Sequence, residues 1–108
     1  MPEPAATVVL VTAPSQEVAE QITTRIVQER LAACGNIVPG IISIYRWQDE
    51  VQRDAEVLIV FKTTQETVQR LAERVKELHP YEVPEVIALP VTAGSPEYLR
   101  WVAASATG

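Results

Sequence analysis

The order of apolar segments predicts an α+β domain: two helices cover one face of a four-stranded sheet, a third helix closes the chain, and a long hairpin joins the second and third strands. Three observations carry this expectation. Short β-rich runs stand at Thr7 to Ala13, Ala33 to Trp47, Glu50 to Thr63 and Val86 to Val91. Between them lie stretches whose apolar residues recur every three or four positions, the period of an amphipathic helix. The gaps are short and show no linker, so residues 1–108 read as a single domain.

The first run, TVVLVTA, lacks polar alternation, which predicts a strand in the middle of the sheet buried on both faces. Pro14 ends it and Ser15 caps a helix carrying Val18, Ile22 and Ile26, which runs to about Arg30. The second strand is interrupted by Pro39-Gly40, a pair that removes a ladder donor and invites a bulge. Gln48-Asp49 then separates Tyr45, Arg46 and Trp47 from the third strand as a tight hairpin turn, with Asp tolerating the left-handed conformation. After Thr64 as a cap, Val68, Leu71, Ala72, Val75 and Leu78 mark the second helix. His79-Pro80 stops it, because the residue before proline is driven out of the α region. Pro90 places part of the last strand at an edge. Ser95-Pro96-Glu97 opens the closing helix with a cap, a proline and an acid, ahead of Tyr98, Leu99, Trp101 and Val102. The first six elements match the ferredoxin-like split βαβ order.

Hydrophobic residues make up 47% and charged residues 21% of the chain, a composition that folds. The net charge of −5, with nine scattered Lys and Arg, speaks against nucleic acid as a partner. The opening MPEPAATVVLVTAP has neither the basic start nor the apolar core of a signal peptide. No later run approaches the roughly 20 apolar residues of a membrane span. A cytoplasmic protein without membrane contact is therefore expected. The single cysteine, Cys34, excludes an intrachain disulfide.

At roughly 3.3 Å per residue the arm from Glu50 to Thr63 spans about 45 Å. A domain of this size has a radius of gyration of only about 13 Å. Two helices cannot cover such an arm, which leaves Ile42, Ile44, Tyr45, Trp47 and Val51 exposed beside unpaired backbone. Closed symmetry removes the free edge, so a homo-oligomer is expected.

The segments RLAACGNIVPGIISIYRW, EVLIVFKT, LHPYEVPEVIALPV and EYLRW occur in this order from Val8 to Trp101. Together they resemble the CutA family of divalent-cation tolerance proteins, with Asp49 standing where most relatives have glycine. The resemblance implies a ferredoxin-like protomer in a PII-like homotrimer, whose hairpins reach across to neighbouring subunits. It also implies a link to copper and other divalent ions, and an intersubunit cleft lined by polar and aromatic side chains. It brings no enzymatic reaction with it.

Cys34 and His79 are the chain's sole thiol and imidazole, and Glu82 follows His79 by three positions. Thiolate and imidazole suit copper(II) or another divalent cation, held loosely. The plainer roles are a small buried hydrophobe for Cys34 and a helix-terminus residue for His79. Tyr45, Trp47, Tyr81 and Trp101 are candidates to line the cleft, or else packing anchors. Lys62 is a candidate to hold an anion there, or else a solvated strand end. Phosphate-loop, dinucleotide and nucleophile-elbow motifs are absent, and no catalytic residue is expected. The leading expectation is a trimer that binds copper or related divalent ions. The alternative is a PII-like regulatory trimer that binds a small anion or metabolite between subunits.

Overall fold

A computed structural model describes residues 5–108. Residues 1–4, on which the signal-peptide expectation partly rests, lie outside the described residues. Strands β1 (Ala6–Ala13), β2 (Cys34–Trp47), β3 (Glu50–Thr64) and β4 (Val86–Pro90) alternate with helices α1 (Gln16–Gln28), α2 (Val68–Leu78) and α3 (Pro96–Ser105) in the ferredoxin-like order. The sheet is antiparallel with strand order β2-β3-β1-β4.

The apolar run of β1 pairs on both sides, with β3 and with β4. Its Val9, Val11 and Ala13 meet Ile59, Phe61 and Val57 beneath Ala19, Ile22 and Ile26 of α1 and Leu71 and Val75 of α2. Each such large aliphatic or aromatic side chain withdrawn from water contributes about 1.5–3 kcal/mol. Gly35 lets α1 approach this closely, since a Cβ there would stand 2.7 Å from Thr23 Cγ2.

Three expectations are revised. Only one face of β1 is buried within the chain, because both helices pack on the same side and Val8 and Leu10 on the other stay partly exposed. Thr64 ends β3 instead of capping α2, and Gln65–Thr67 forms a 3-10 turn ahead of the helix. Neighbouring Thr63 donates to Leu31 O at 2.8 Å, which holds this end of β3 in the sheet. Ala33 likewise stays outside β2, its N–H bonded to Lys62 O at 2.8 Å.

The Pro39-Gly40 pair produces the expected bulge: register shifts between Val38 and Ile41, and Gly40 takes φ 80°. Gln48 and Asp49, at φ 51° and 65°, form the two-residue turn. Ser15 and Ser95 accept from Val18 N–H and Tyr98 N–H, capping α1 and α3. The chain extends 49 Å along its longest axis and 25 Å across. The outer arms expose Ile42, Ile44, Tyr45, Trp47 and Val51.

Candidate functional site

Side chains alternate across a strand, so the residues between the core positions point away from the helices. Three rows result: Cys34, Lys62, Val8 and Leu89; Asn36, Val60, Leu10 and Ile87; and Val38, Leu58 and Thr12. Most of these side chains are apolar. Ile87, Leu89 and Val38 are 50%, 47% and 43% exposed. Farther out on β2 and β3 the same alternation carries Ser43, Tyr45 and Trp47 opposite Asp54, Gln52 and Glu50.

The loop after α2 folds back onto this side. His79 takes an extended conformation ahead of Pro80 and is buried. Its Nδ1 accepts from Tyr81 N–H at 3.1 Å, so in the neutral tautomer Nε2–H donates to Thr12 O at 2.7 Å. Tyr81 is thereby placed with its ring 4.6 Å from the imidazole, and its hydroxyl donates to Glu56 Oε2 at 2.8 Å. Burial, and next the bond to Glu56, push the Tyr81 phenol far above its ordinary value. Tyr45 donates to the Asp54 carboxylate, a bond that raises its phenol as well. Both tyrosines remain protonated donors at neutral pH. Between the arm and the loop lies a groove of about 680 Å³, with Tyr45, Trp47, Tyr81, Glu56, Glu82 and Glu85 among its walls.

A second group of side chains sits at the other end of the sheet. Cys34 lies opposite Lys62, whose ammonium donates to Asn36 Oδ1. Cys34 Sγ is 3.6 Å from the Tyr98 hydroxyl, and the Tyr98 ring packs on Trp101 at 5.5 Å. That contact with Cys34, followed by burial, raises the Tyr98 phenol.

The expected cleft residues therefore divide. Tyr45, Trp47 and Tyr81 share the groove, while Lys62 and Trp101 belong to the Cys34 end. The expected metal ligands divide in the same way. His79 bonds to Thr12 and the Cys34 row crosses β1 at Val8, about 13 Å away along the strand. Among the described residues no three His, Cys, Asp or Glu side chains gather to hold a metal within one chain. His79 has both ring nitrogens engaged by backbone, so it anchors the loop and would have to release a bond to coordinate. Asp54, Glu56, Glu85 and Tyr98 did not stand out in the sequence. For Glu56 the signal was its place one residue before the buried Val57, which alternation turns to the opposite face.

The fold and these two groups define a ferredoxin-like domain with an elongated hairpin, an acid-lined groove and no preformed metal centre among the described residues. The sequence matches the family model described as CutA1 divalent ion tolerance protein over residues 7–105, and the chain belongs to that family. It is 59% identical over 95 residues to the divalent-cation tolerance protein CutA of Thermus thermophilus, covering 88% of this chain and 92% of that protein. It is 53% identical to the chloroplastic protein CutA of Arabidopsis thaliana, over 88% of this chain but 52% of that protein. The chain thus spans about half the length of that plant relative. The solved structure of the Thermus thermophilus divalent cation tolerance protein superposes with a TM-score of 0.91 at 56% identity, covering 93% of this chain and 97% of that one.

Proposed function

We propose that the protein acts as a homotrimer that binds copper or related divalent ions at sites completed between subunits. The observation that carries this reading is the apolar sheet face opposite α1 and α2, where the loop after α2 reaches Thr12 and Tyr98 of α3 reaches Cys34 but Val8, Leu10, Leu58 and Val60 stay partly exposed and Ile87 and Leu89 about half exposed. A face of that kind calls for a partner, and closed rotational symmetry supplies one without leaving a free edge. The wide separation of Cys34 from His79 and Glu82 within one chain fits ligands drawn from different copies. Cys34 and the exposed Glu82 are the proposed ligands, and His79 joins them only by giving up a backbone bond. The family's divalent-cation tolerance supports the ligand class, and no catalytic step is part of the proposal. Nor is contact with nucleic acid or membrane, and a cytoplasmic location belongs to the same reading.

Light scattering is expected to return about three times the chain mass of 11.9 kDa. Calorimetric titration with copper(II) is expected to show saturable binding that weakens in Cys34→Ser and in Glu82→Gln. A monomer, or unchanged affinity in both variants, would overturn the reading. A regulatory trimer binding an anion finds less support, because the groove is walled by carboxylates and Lys62 lies outside it.

A further inference from the structure

Within the chain α3 is held by little packing. Val102 is its one buried residue, joined by Ala106 just beyond its end. A helix of 10 residues is too short to persist by itself, so contacts made from outside decide whether it forms. Two of these come from the segment that follows it. Ala106 O accepts from Thr67 Oγ1 at 3.3 Å, and Gly108 N–H donates to Arg30 O at 2.8 Å. Thr67 has a single hydroxyl proton and gives it to Ala106, so Thr64 Oγ1, at 2.8 Å, is the donor to Thr67. Thr64, Thr67 and Ala106 are all buried, so a group that loses its partner here has no water in exchange.

The two bonds reach different elements. Thr67 ends the 3-10 turn immediately before α2, and Arg30 stands just past the end of α1 with its φ of 61°. Residues 106–108 thus tie α3 to the end of one helix and the start of the other. Among the described residues, none from α3 belongs to the apolar cluster that α1 and α2 form with the sheet. The core is therefore complete without α3, and α3 depends on its ties.

We propose that residues 106–108 form a clasp that holds α3 as a separately opening unit: closed, it seats the helix, and open, it releases the helix while the core stays folded. The helix carries Tyr98, whose hydroxyl lies 3.6 Å from Cys34 Sγ. A clasp at the ends of α1 and α2 therefore governs a contact at the start of β2. It is made within one chain and does not depend on bound metal.

The test is amide hydrogen exchange of the whole protein. Thr67→Val keeps the side-chain shape but removes the donor, and is expected to speed exchange of the amides from Leu99 to Ala106 about tenfold while those of β1 keep the parent rate. Gly108→Pro lacks the N–H that reaches Arg30 and, lying outside the core, is expected to do the same. Thr67→Ser, which restores the hydroxyl, should stay near the parent. Unchanged exchange of α3 in either of the first two variants would overturn the inference, because packing or a neighbouring subunit would then hold the helix. So would equal acceleration of α3 and β1, which would make the opening part of global unfolding. Loosening in Thr67→Ser equal to that in Thr67→Val would overturn it as well, by assigning the effect to packing.

Discussion

Arg30 and Asp49 adopt φ angles of 61° and 65°, a region that costs a non-glycine residue roughly 1 kcal/mol or more. Arg30 lies just beyond the end of α1, where its N–H reaches Val27 O and that of Leu31 reaches Ile26 O, the double bond that closes a helix with a left-handed residue. Asp49 is the second central residue of the hairpin turn, a place that favours glycine. Arg30→Gly and Asp49→Gly are each expected to raise stability by about 0.5–1 kcal/mol, after allowing for the greater freedom of glycine in the unfolded chain. Denaturant unfolding at constant slope would show this, and a loss of stability would show that the Arg30 or Asp49 side chain contributes more than its backbone costs. His79 has the opposite character. His79→Ala orphans the Thr12 carbonyl and the Tyr81 N–H and is expected to cost about 2–4 kcal/mol, measurable by thermal unfolding. An unchanged melting temperature would mean that the loop is held by other contacts.

At the scale of elements, α1 and α2 lie on the same sheet face and are tied at their rims by a fork of hydrogen bonds. Arg74 Nε and Nη2 donate to the two oxygens of Glu29 at 2.9 and 3.0 Å, and Arg25 adds a weaker contact from one turn earlier. The Arg74 bonds hold the Glu29 carboxyl below its ordinary value of 4.5 and raise the Arg74 guanidinium. A depressed folded value stabilises the protein above the unfolded value, so the contribution is complete above about pH 4.5 and disappears as pH falls through the lowered folded value. Arg74→Gln should therefore lower the melting temperature at pH 7, with the difference from the parent closing in stronger acid. A difference that persists when Glu29 is protonated would assign the role of Arg74 to packing of its stem. The pair is exposed to water, which keeps the effect small.

The whole molecule combines a covered face with an uncovered one. The helices bury Val9, Val11, Ile59 and Phe61, while the reverse face and the overhanging hairpin leave Ile42, Trp47, Ile87 and Leu89 about half exposed and Ile44 more so. Trp47→Asp is expected to break the proposed trimer, since a charge buried without a partner at an interface costs several kcal/mol. The readout is mass by light scattering, with far-UV circular dichroism checking that the core, which Trp47 does not enter, stays folded. An unaltered trimer with unaltered melting would place Trp47 outside the interface.

The linear sequence already determined the element order, the central place of the TVVLVTA strand, the bulge at Pro39-Gly40, the hairpin turn and the caps at Ser15 and Ser95. Each of these depends on residues within a few positions of one another, where backbone sterics and side-chain period decide the outcome. The segments around Cys34 and His79 likewise carried the family. Tertiary structure decided what long-range pairing controls. It left one face of β1 open by packing both helices on the other, and pulled Thr64 into β3 because Thr63 bonds to Leu31 across 32 positions. It parted Cys34 from His79 by assigning them to opposite ends of β1, and turned His79 from a free imidazole into an anchor for Tyr81. It also buried Glu56, an acid that reads as ordinary strand composition until Tyr81, 25 positions later, folds over it. Register across strands and the return of a loop are set by the summed packing of the core, and no local window of residues encodes them.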